Sequence, residues 1–499
     1  MLFALLPALA LMLCALATAQ RYEFEDGLVV LRRDDAAGLR FTRPAVQLKG
    51  DSLYIQIDVE DDNNDVTLPT AFRRWFGAGI SAKWQQLGLT SLRVSVRSVG
   101  FEDPVRPVFA VAESDEIQVP FDSFEHIPEN SEFALEFGEM RFTLPASFND
   151  DNEVRFSKFF PYTLRDANAL TQHALDLKEG DSFLFESTEV GESTQKRLIH
   201  MLSTSSEKAK TSVYIHAGIH PSESTSYHIM RGFMDALLTE QGKQLRERSL
   251  VHLVPLCNPD GLAAANYRTT SLSENLEVDW RAKPNESATV EVQALHTNLE
   301  RLMESERPPS VVLNLHTTHD SEFGGFFVHT ATDDWKPGMP GVRAEVNLAE
   351  LRFVRAWQHH SKQMKASEIW RSTLATHRNY LEAVVHDRWS TAKNPIVAIT
   401  MEGAYMNDAE TGTLATPETW RTVGAQLVPA MLEYLKEREP TPLKRKTDFS
   451  PYLVVLIIFA FGITVGVSPF LLSLCKRSRS QNPVQQPLIS SNINSDAED

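Results

Sequence analysis

Three short stretches of this chain combine residue types that can bind a metal or move a proton. His220-Pro221-Ser222-Glu223 follows the apolar run TSVYIHAGI, His316 follows VVLNL, and Met401-Glu402 follows IVAIT. Two histidines and one carboxylate are a sufficient protein set for a catalytic zinc ion, with a fourth position left for water. The H-x-x-E spacing lets both side chains converge on one ion where the chain turns from a strand toward a helix. A second acid outside the ligand set can take the proton of an attacking water, and Glu402 is the candidate. Each signal alone is common by chance. Their weight comes from occurring in order, each at the end of a buried-looking strand.

Those strands predict the architecture that has to hold the groups. TSVYIHAG, LVHLVPL, SVVLNLH and PIVAITM alternate with helical-period segments such as SYHIMRGFMDALL and TVEVQALHTNLERLM. This alternation indicates an α/β domain over residues 155–436, its sheet covered by helices on both faces. In such domains active groups gather beyond strand ends. Upstream the texture differs. SLYIQIDVE, SLRVSVRSV, EIQVPF and MRFTLP alternate apolar and polar residues between Gly, Pro, Asp and Asn. An antiparallel β-sandwich over residues 20–150 is the expected packing, with NDDNEVR marking its boundary.

The composition, 42% hydrophobic and 23% charged, is that of a globular protein, and a formal net charge of −17 argues against nucleic-acid partners. Residues 1–19 form an apolar run closed by Ala17-Thr18-Ala19, which reads as a cleaved signal peptide; a retained anchor is the alternative. Leu453 to Cys475 carries no charge and is long enough for a transmembrane helix, with Lys476, Arg477 and Arg479 on its far side. The expected topology is a single-pass type I membrane protein. Residues 437–450 would form a stalk, the catalytic region would be extracellular or lumenal, and 476–499 would be a cytoplasmic tail. Asn285-Glu286-Ser287 is a glycosylation sequon. Cys475, at the inner boundary, is a candidate for palmitoylation. With Cys14 removed, Cys257 stands alone in the ectodomain within VHLVPLC and reads as a buried thiol rather than a nucleophile.

The motifs carry a resemblance. HAGIHPSESTSYHIMRGF resembles the zinc motif of the cytosolic-carboxypeptidase branch of the zinc metallocarboxypeptidases. VPLCNPDGLAAANYR resembles that branch's NPDG…NYR segment, LNLHTTH its third-ligand strand, and AITMEGAY its catalytic-glutamate strand. VRFSKFFPYTLRD is similar to its interdomain junction. The resemblance spans about residues 120–435 and implies a mixed sheet, one zinc ion held by His220, Glu223 and His316, and Glu402 as general base and acid. It also implies that Arg268 polarises the scissile carbonyl, the plainer alternative being a solvated loop cation. His216, His319 and His329 are expected to be structural or to support the ligands.

One stretch departs from the pattern. Where the family has an Asn-Arg pair that holds a substrate's terminal carboxylate, Asn275-Leu276-Glu277-Val278-Asp279-Trp280 offers Glu277 and Val278. Loss of a charge-assisted anchor removes roughly 1.5–3 kcal/mol, and Glu277 would repel a carboxylate if it faced the pocket. Arg281 is the nearest replacement cation. The leading expectation is a membrane-anchored metallocarboxypeptidase acting on peptide or protein substrates. A zinc hydrolase of altered specificity, such as an amidase or deacylase, is the second reading, and a non-catalytic binding ectodomain the third.

Overall fold

A computed structural model describes residues 20–35, 38–98, 105–113, 123–145, 148–278, 280–281, 289–318, 325–330, 340–371, 379–405 and 407–438. The expected leader, membrane span and tail, most of the stalk, Asn285 and His319 lie outside these residues. Among the described residues no helix is long and apolar enough to cross a membrane.

Alternating residues build the first half. β1 (Gln20–Phe24), β2 (Val29–Arg33), β3 (Thr42–Lys49), β4 (Ser52–Asp58), β5 (Gly77–Ala82), β6 (Ser91–Arg97), β7 (Val108–Glu113), β8 (Glu125–His126), β9 (Phe133–Glu136), β10 (Glu139–Pro145) and β11 (Asn152–Ser157) form two sheets, ordered β1-β2-β5-β11-β7-β8 and β3-β4-β6-β10-β9. Leu53, Ile55 and Ile57 of β4 face inward with Leu92, Val94 and Val96 of β6, and the polar residues between them face out, as a two-residue period requires. The pairing is antiparallel except between β4 and β6, which run parallel. Their connection is long enough to cross to the other sheet and lay down β5 on the way, so no hairpin reverses the chain between them. The expected boundary at NDDNEVR falls inside the sandwich instead: residues 149–151 are the turn into β11, which pairs with both β5 and β7, so the sandwich runs on to Ser157.

After Ser157 the period changes. Thr163 caps α1 (Leu164–Asp176) in a reciprocal capping box with Asp166. The hairpin β12 (Lys178–Glu179) and β13 (Ser182–Phe183) follows. Then come β14 (Glu186–Glu192), β15 (Leu198–Ser203), β16 (Thr211–Ala217), α2 (Ser224–Ala236), α3 (Glu240–Arg248), β17 (Ser249–Val254), α4 (Pro259–Ala263), α5 (Val290–Met303), β18 (Pro309–Thr318), β19 (Phe326–Thr330), α6 (Pro340–His360), β20 (Met364–Arg371), α7 (Leu381–Trp389), β21 (Val397–Ala404) and α8 (Pro417–Arg438). These eight later strands make one mixed sheet, β14-β15-β17-β16-β18-β21-β19-β20. Its central members β17, β16, β18 and β21 are mutually parallel, so their C-terminal ends share one edge.

Period-two alternation sorts the central strands between two cores. Val311, Leu313, Leu315, Ile399 and Met401 pack with α1, α2, α6 and α8. Tyr214, Val312 and Ala398 pack with α5 and α7. Helices therefore cover both faces, and burial of each Val, Leu, Ile or Met side chain among these contributes about 1.5–3 kcal/mol. Cys257 lies in the second core, free and fully buried, and burial pushes its thiol pKa well up, so it is no nucleophile. A third aromatic cluster, Phe72, Trp75, Phe159, Phe160, Tyr267 and Tyr405, joins the sandwich directly to the α/β layer.

Candidate metal centre

The same alternation that places Val312 and Ala398 on the α5/α7 face places His316 and Glu402 there too, at the strand C-termini. The two residues are register partners across the parallel β18–β21 ladder. His220 reaches them from the loop beyond β16. That loop begins at Gly218, whose φ of +72° suits glycine, and an added Cβ would lie 2.6 Å from the Tyr227 hydroxyl. Glu223 stands at the N-cap of α2, where the helix end favours an anion. Its carboxylate does not cap that helix. Instead Oε2 accepts the Thr317 N–H at 2.9 Å.

The asparagine of the NPDG stretch ties the loops together. Asn258 donates through Nδ2 to the Ile219 carbonyl (3.2 Å) and accepts the Gly261 N–H (2.9 Å), fixing α4 against the His220 loop. Ser222 Oγ donates to the Tyr267 carbonyl at 2.8 Å, and Tyr405 Oη donates to the Ser222 carbonyl at 3.0 Å. The loop bearing Arg268 is thereby stitched to the loop bearing His220.

His220, Glu223 and His316 converge. His220 Nδ1 lies 2.8 Å from Glu223 Oε1, His316 Nδ1 lies 2.9 Å from Glu223 Oε2, and the two Nδ1 atoms are 3.1 Å apart. All three side chains are buried, and their ligand atoms lie within 4.8 Å of one another. The far nitrogens face outer polar groups. His220 Nε2 meets Asn275 Oδ1 at 3.1 Å; that oxygen also accepts the Glu277 N–H at 3.0 Å, which fixes it as an acceptor. His316 Nε2 meets Glu277 Oε2 at 3.2 Å. With the His220 Nε2 proton donated to Asn275, the His220 Nδ1 directs a lone pair inward beside the Glu223 carboxylate, while His316 Nε2 faces Glu277 without hydrogen-bond geometry.

Such a convergence of acceptors calls for a cation. Burial opposes charge on His316, yet the Glu223 and Glu277 carboxylates outweigh it and push its pKa well up, whereas burial and the Arg268 guanidinium hold His220 down at about 4. Four tetrahedral ligands at about 2.1 Å from zinc stand about 3.4 Å apart; the observed separations need only a few tenths of an ångström of opening. The donor set, its burial and its spacing fit zinc.

Glu402 is half-buried beside this cluster. Burial, with the Glu223 and Glu277 carboxylates, pushes its pKa up to about 8, while His316 and Arg268 act the other way. Arg268 faces the same space: Glu223 and Glu402 both act on its guanidinium, as does Tyr380 at the start of α7. The structure therefore brings together all five residues singled out from the sequence. His216 packs against Trp280, ring centroids 5.6 Å apart, and His329 lies on β19 opposite Thr400; neither joins the ligand cluster.

Three outcomes were not legible beforehand. Glu277, expected to threaten a substrate carboxylate, is 3% exposed and turned inward, accepting from Asn314 Nδ2 at 3.1 Å as well as meeting His316. Arg281 does not replace the missing anchor, because its guanidinium pairs with Asp387 at 2.6 Å. Asp62, unmarked in the sequence, holds the backbone of the Arg268 loop.

Residues 170–301 match the zinc carboxypeptidase family; this stretch contains His220, Glu223 and Arg268 and stops short of His316 and Glu402. The chain is similar to cytosolic carboxypeptidase 6 of Mus musculus, 28% identical over 140 residues, covering 26% of this chain and 25% of that protein. The Caenorhabditis elegans protein of the same name is 24% identical over 177 residues, covering 34% and 38%. The matches thus span between about a quarter and two fifths of these relatives' lengths. Among solved structures, a metallo-carboxypeptidase from Burkholderia cenocepacia aligns with a TM-score of 0.63 at 17% identity, over 82% of this chain and 99% of that one. One from Pseudomonas aeruginosa, in complex with (2-guanidinoethylmercapto)succinic acid, gives 0.62 at 18%, again over 82% and 99%. The fold, sandwich included, is that of these carboxypeptidases.

Proposed function

We propose that this chain is a zinc-dependent metallocarboxypeptidase that hydrolyses amide bonds of peptides or proteins. One observation carries the reading: two imidazole Nδ1 atoms and one carboxylate meet at a buried point, with Glu402 and Arg268 facing it. Held by His220, Glu223 and His316, a zinc ion would supply Lewis-acid polarisation of the scissile carbonyl and acidify an attacking water. Glu402 takes the proton from that water and delivers it to the departing amine nitrogen. Arg268 stands toward the carbonyl oxygen that becomes negative, and a fixed guanidinium in a shielded site stabilises that charge strongly. Purified protein should hold one zinc per chain and release C-terminal residues from peptides in a chelator-sensitive way. Stoichiometric zinc without turnover would leave a binding protein.

A second reading has its own support. Glu277 is engaged by His316 and Asn314, Val278 is apolar, and Arg281 is paired with Asp387. None of the three is placed to grip a terminal carboxylate, which favours an amidase or deacylase specificity. Matched peptides with free and amidated C-termini separate the two. A carboxypeptidase prefers the free acid, and the alternative cleaves both alike.

We also propose, from residues 1–19 and 453–475, that the hydrolase faces the outside or a lumen on a single membrane anchor. Protease protection of tagged termini in intact cells tests the topology.

A further inference from the structure

The loop Ala264–Thr270 that carries Arg268 has no regular structure of its own, yet its backbone is buried. Asn266, Thr269 and Thr270 are at most 1% exposed. Buried N–H groups require partners, and here they come from the sandwich. Asp62, in the 3-10 turn Asp62–Asn64 after β4, is itself 1% exposed. Its Oδ1 accepts the Tyr267 N–H at 2.6 Å. Its Oδ2 accepts the Arg268 and Thr269 N–H groups, both at 2.8 Å, and the Thr269 hydroxyl at 3.0 Å. Neighbouring residues extend the grip. Asn63 Nδ2 donates to the Thr270 carbonyl (2.7 Å), Asn266 Nδ2 donates to Asn63 Oδ1 (2.9 Å), and Arg40 Nη1 donates to the Ala264 carbonyl (3.1 Å). The side chain is held from the same direction: the Arg268 guanidinium lies over the Phe72 ring, 5.3 Å from its centroid.

We propose that Asp62 and Phe72 are positioning residues for Arg268, so that the N-terminal sandwich is a structural part of the active centre. The inference rests on the reading of Arg268 as the group facing the developing oxyanion. Asp62 sets where the Cα of Arg268 stands, because the arginine's own N–H is one of the three it binds. Phe72 sets where the guanidinium points. Neither touches substrate. Their effect runs through Arg268, since displacement of a positioned group by about 1 Å costs on the order of 100-fold in rate.

The test is a double-mutant cycle in the full chain. Asp62→Asn keeps the side-chain shape but loses the charge and turns an N–H donor toward other donors. It is expected to lower kcat by about tenfold or more, with one zinc per chain retained by elemental analysis. In an Arg268→Ala background the same substitution should cost less than about twofold, because the group it positions is gone. Phe72→Leu, which preserves apolar packing, should show a smaller loss with the same dependence on Arg268, and it decides the matter should Asp62→Asn fail to fold. Equal losses with and without Arg268 would mean general loosening and overturn the proposal, as would an unchanged kcat in both variants. An unmodified chain that binds zinc but hydrolyses nothing overturns the functional reading instead, before any variant is made. Hydrogen exchange then still decides the clamp: Asp62→Asn should deprotect the amides of residues 267–269, and unchanged protection there refutes it.

Discussion

The two halves of the centre are built by different means. His220, Glu223, His316 and Glu402 are fixed by the parallel strands of the α/β sheet and by the helix that follows the first of them. Arg268 sits on an irregular loop whose backbone and side chain are held by Asp62 and Phe72 from another layer of the molecule. The first half borrows rigidity from a sheet buried on both faces. The second depends on a few long-range polar contacts. A candidate metal centre can thus rest on one sheet while the arginine proposed to act beside it depends on another layer.

The largest expected break in that comparison is at Glu402. Glu402→Gln keeps the shape, removes the base, and should lower kcat by about 10²–10⁴-fold with zinc retained; kinetics with elemental analysis on one sample checks it. Its pH behaviour sharpens the point. As the proposed base Glu402 would act when deprotonated, and a raised pKa means that this form is lost sooner as pH falls. The acid limb of kcat/KM should lie above the ordinary 4.5 of a glutamate and below the value of about 8 that burial and the neighbouring carboxylates set, because a bound cation pulls it down. A limb at or below 4.5 would mean that Glu402 is not the base.

Next in size is Glu277. Its carboxylate against His316 Nε2 should raise the basicity of the ligating nitrogen, so Glu277→Gln should weaken zinc binding by about 10–100-fold in a competitive chelator titration. Asp62→Asn should leave that affinity unchanged. If both variants shift zinc alike, the two halves are one unit and the comparison fails.

Gly218→Ala tests the turn behind His220. A positive φ costs a non-glycine residue about 1–3 kcal/mol, and the Tyr227 hydroxyl must also move. Chemical denaturation should show a loss of that order, with proportionately less zinc bound. The smallest effect is expected at Arg281. Its pair with Asp387 is partly exposed, and Arg281→Ala should change turnover of free-acid peptides by about twofold or less. A collapse confined to free-acid substrates would restore Arg281 as the carboxylate anchor.

The ligand half was legible because its signals are local. A buried strand announces itself as an apolar run, and the residue just past that run must stand at the sheet's edge. His220, His316 and Glu402 could therefore be placed before any coordinates. Asp62 could not. In Asp61-Asp62-Asn63-Asn64-Asp65 a carboxylate reads as a solvated turn, and nothing nearby marks it as the acceptor of three amides about two hundred positions away. The parallel pairing of β4 with β6 was hidden for a like reason, since alternation reports which face a residue takes and not which strand lies alongside. Glu277 is intermediate. Its departure from the expected pattern was visible, but the direction of its side chain depended on Asn314 and His316.

By itself the sequence determined the mixed α/β fold with its N-terminal β-rich region, and it marked His220, Glu223, His316 and Glu402 as side chains that converge. Hydrophobic period and strand-end position are properties of neighbouring residues, and a chain cannot conceal them. Tertiary structure alone decided which acid serves which histidine, that Arg281 is engaged elsewhere, and that the arginine loop hangs from the sandwich. Hydrogen bonds reach only about 3 Å, so their partners are known only once distant segments have been brought together.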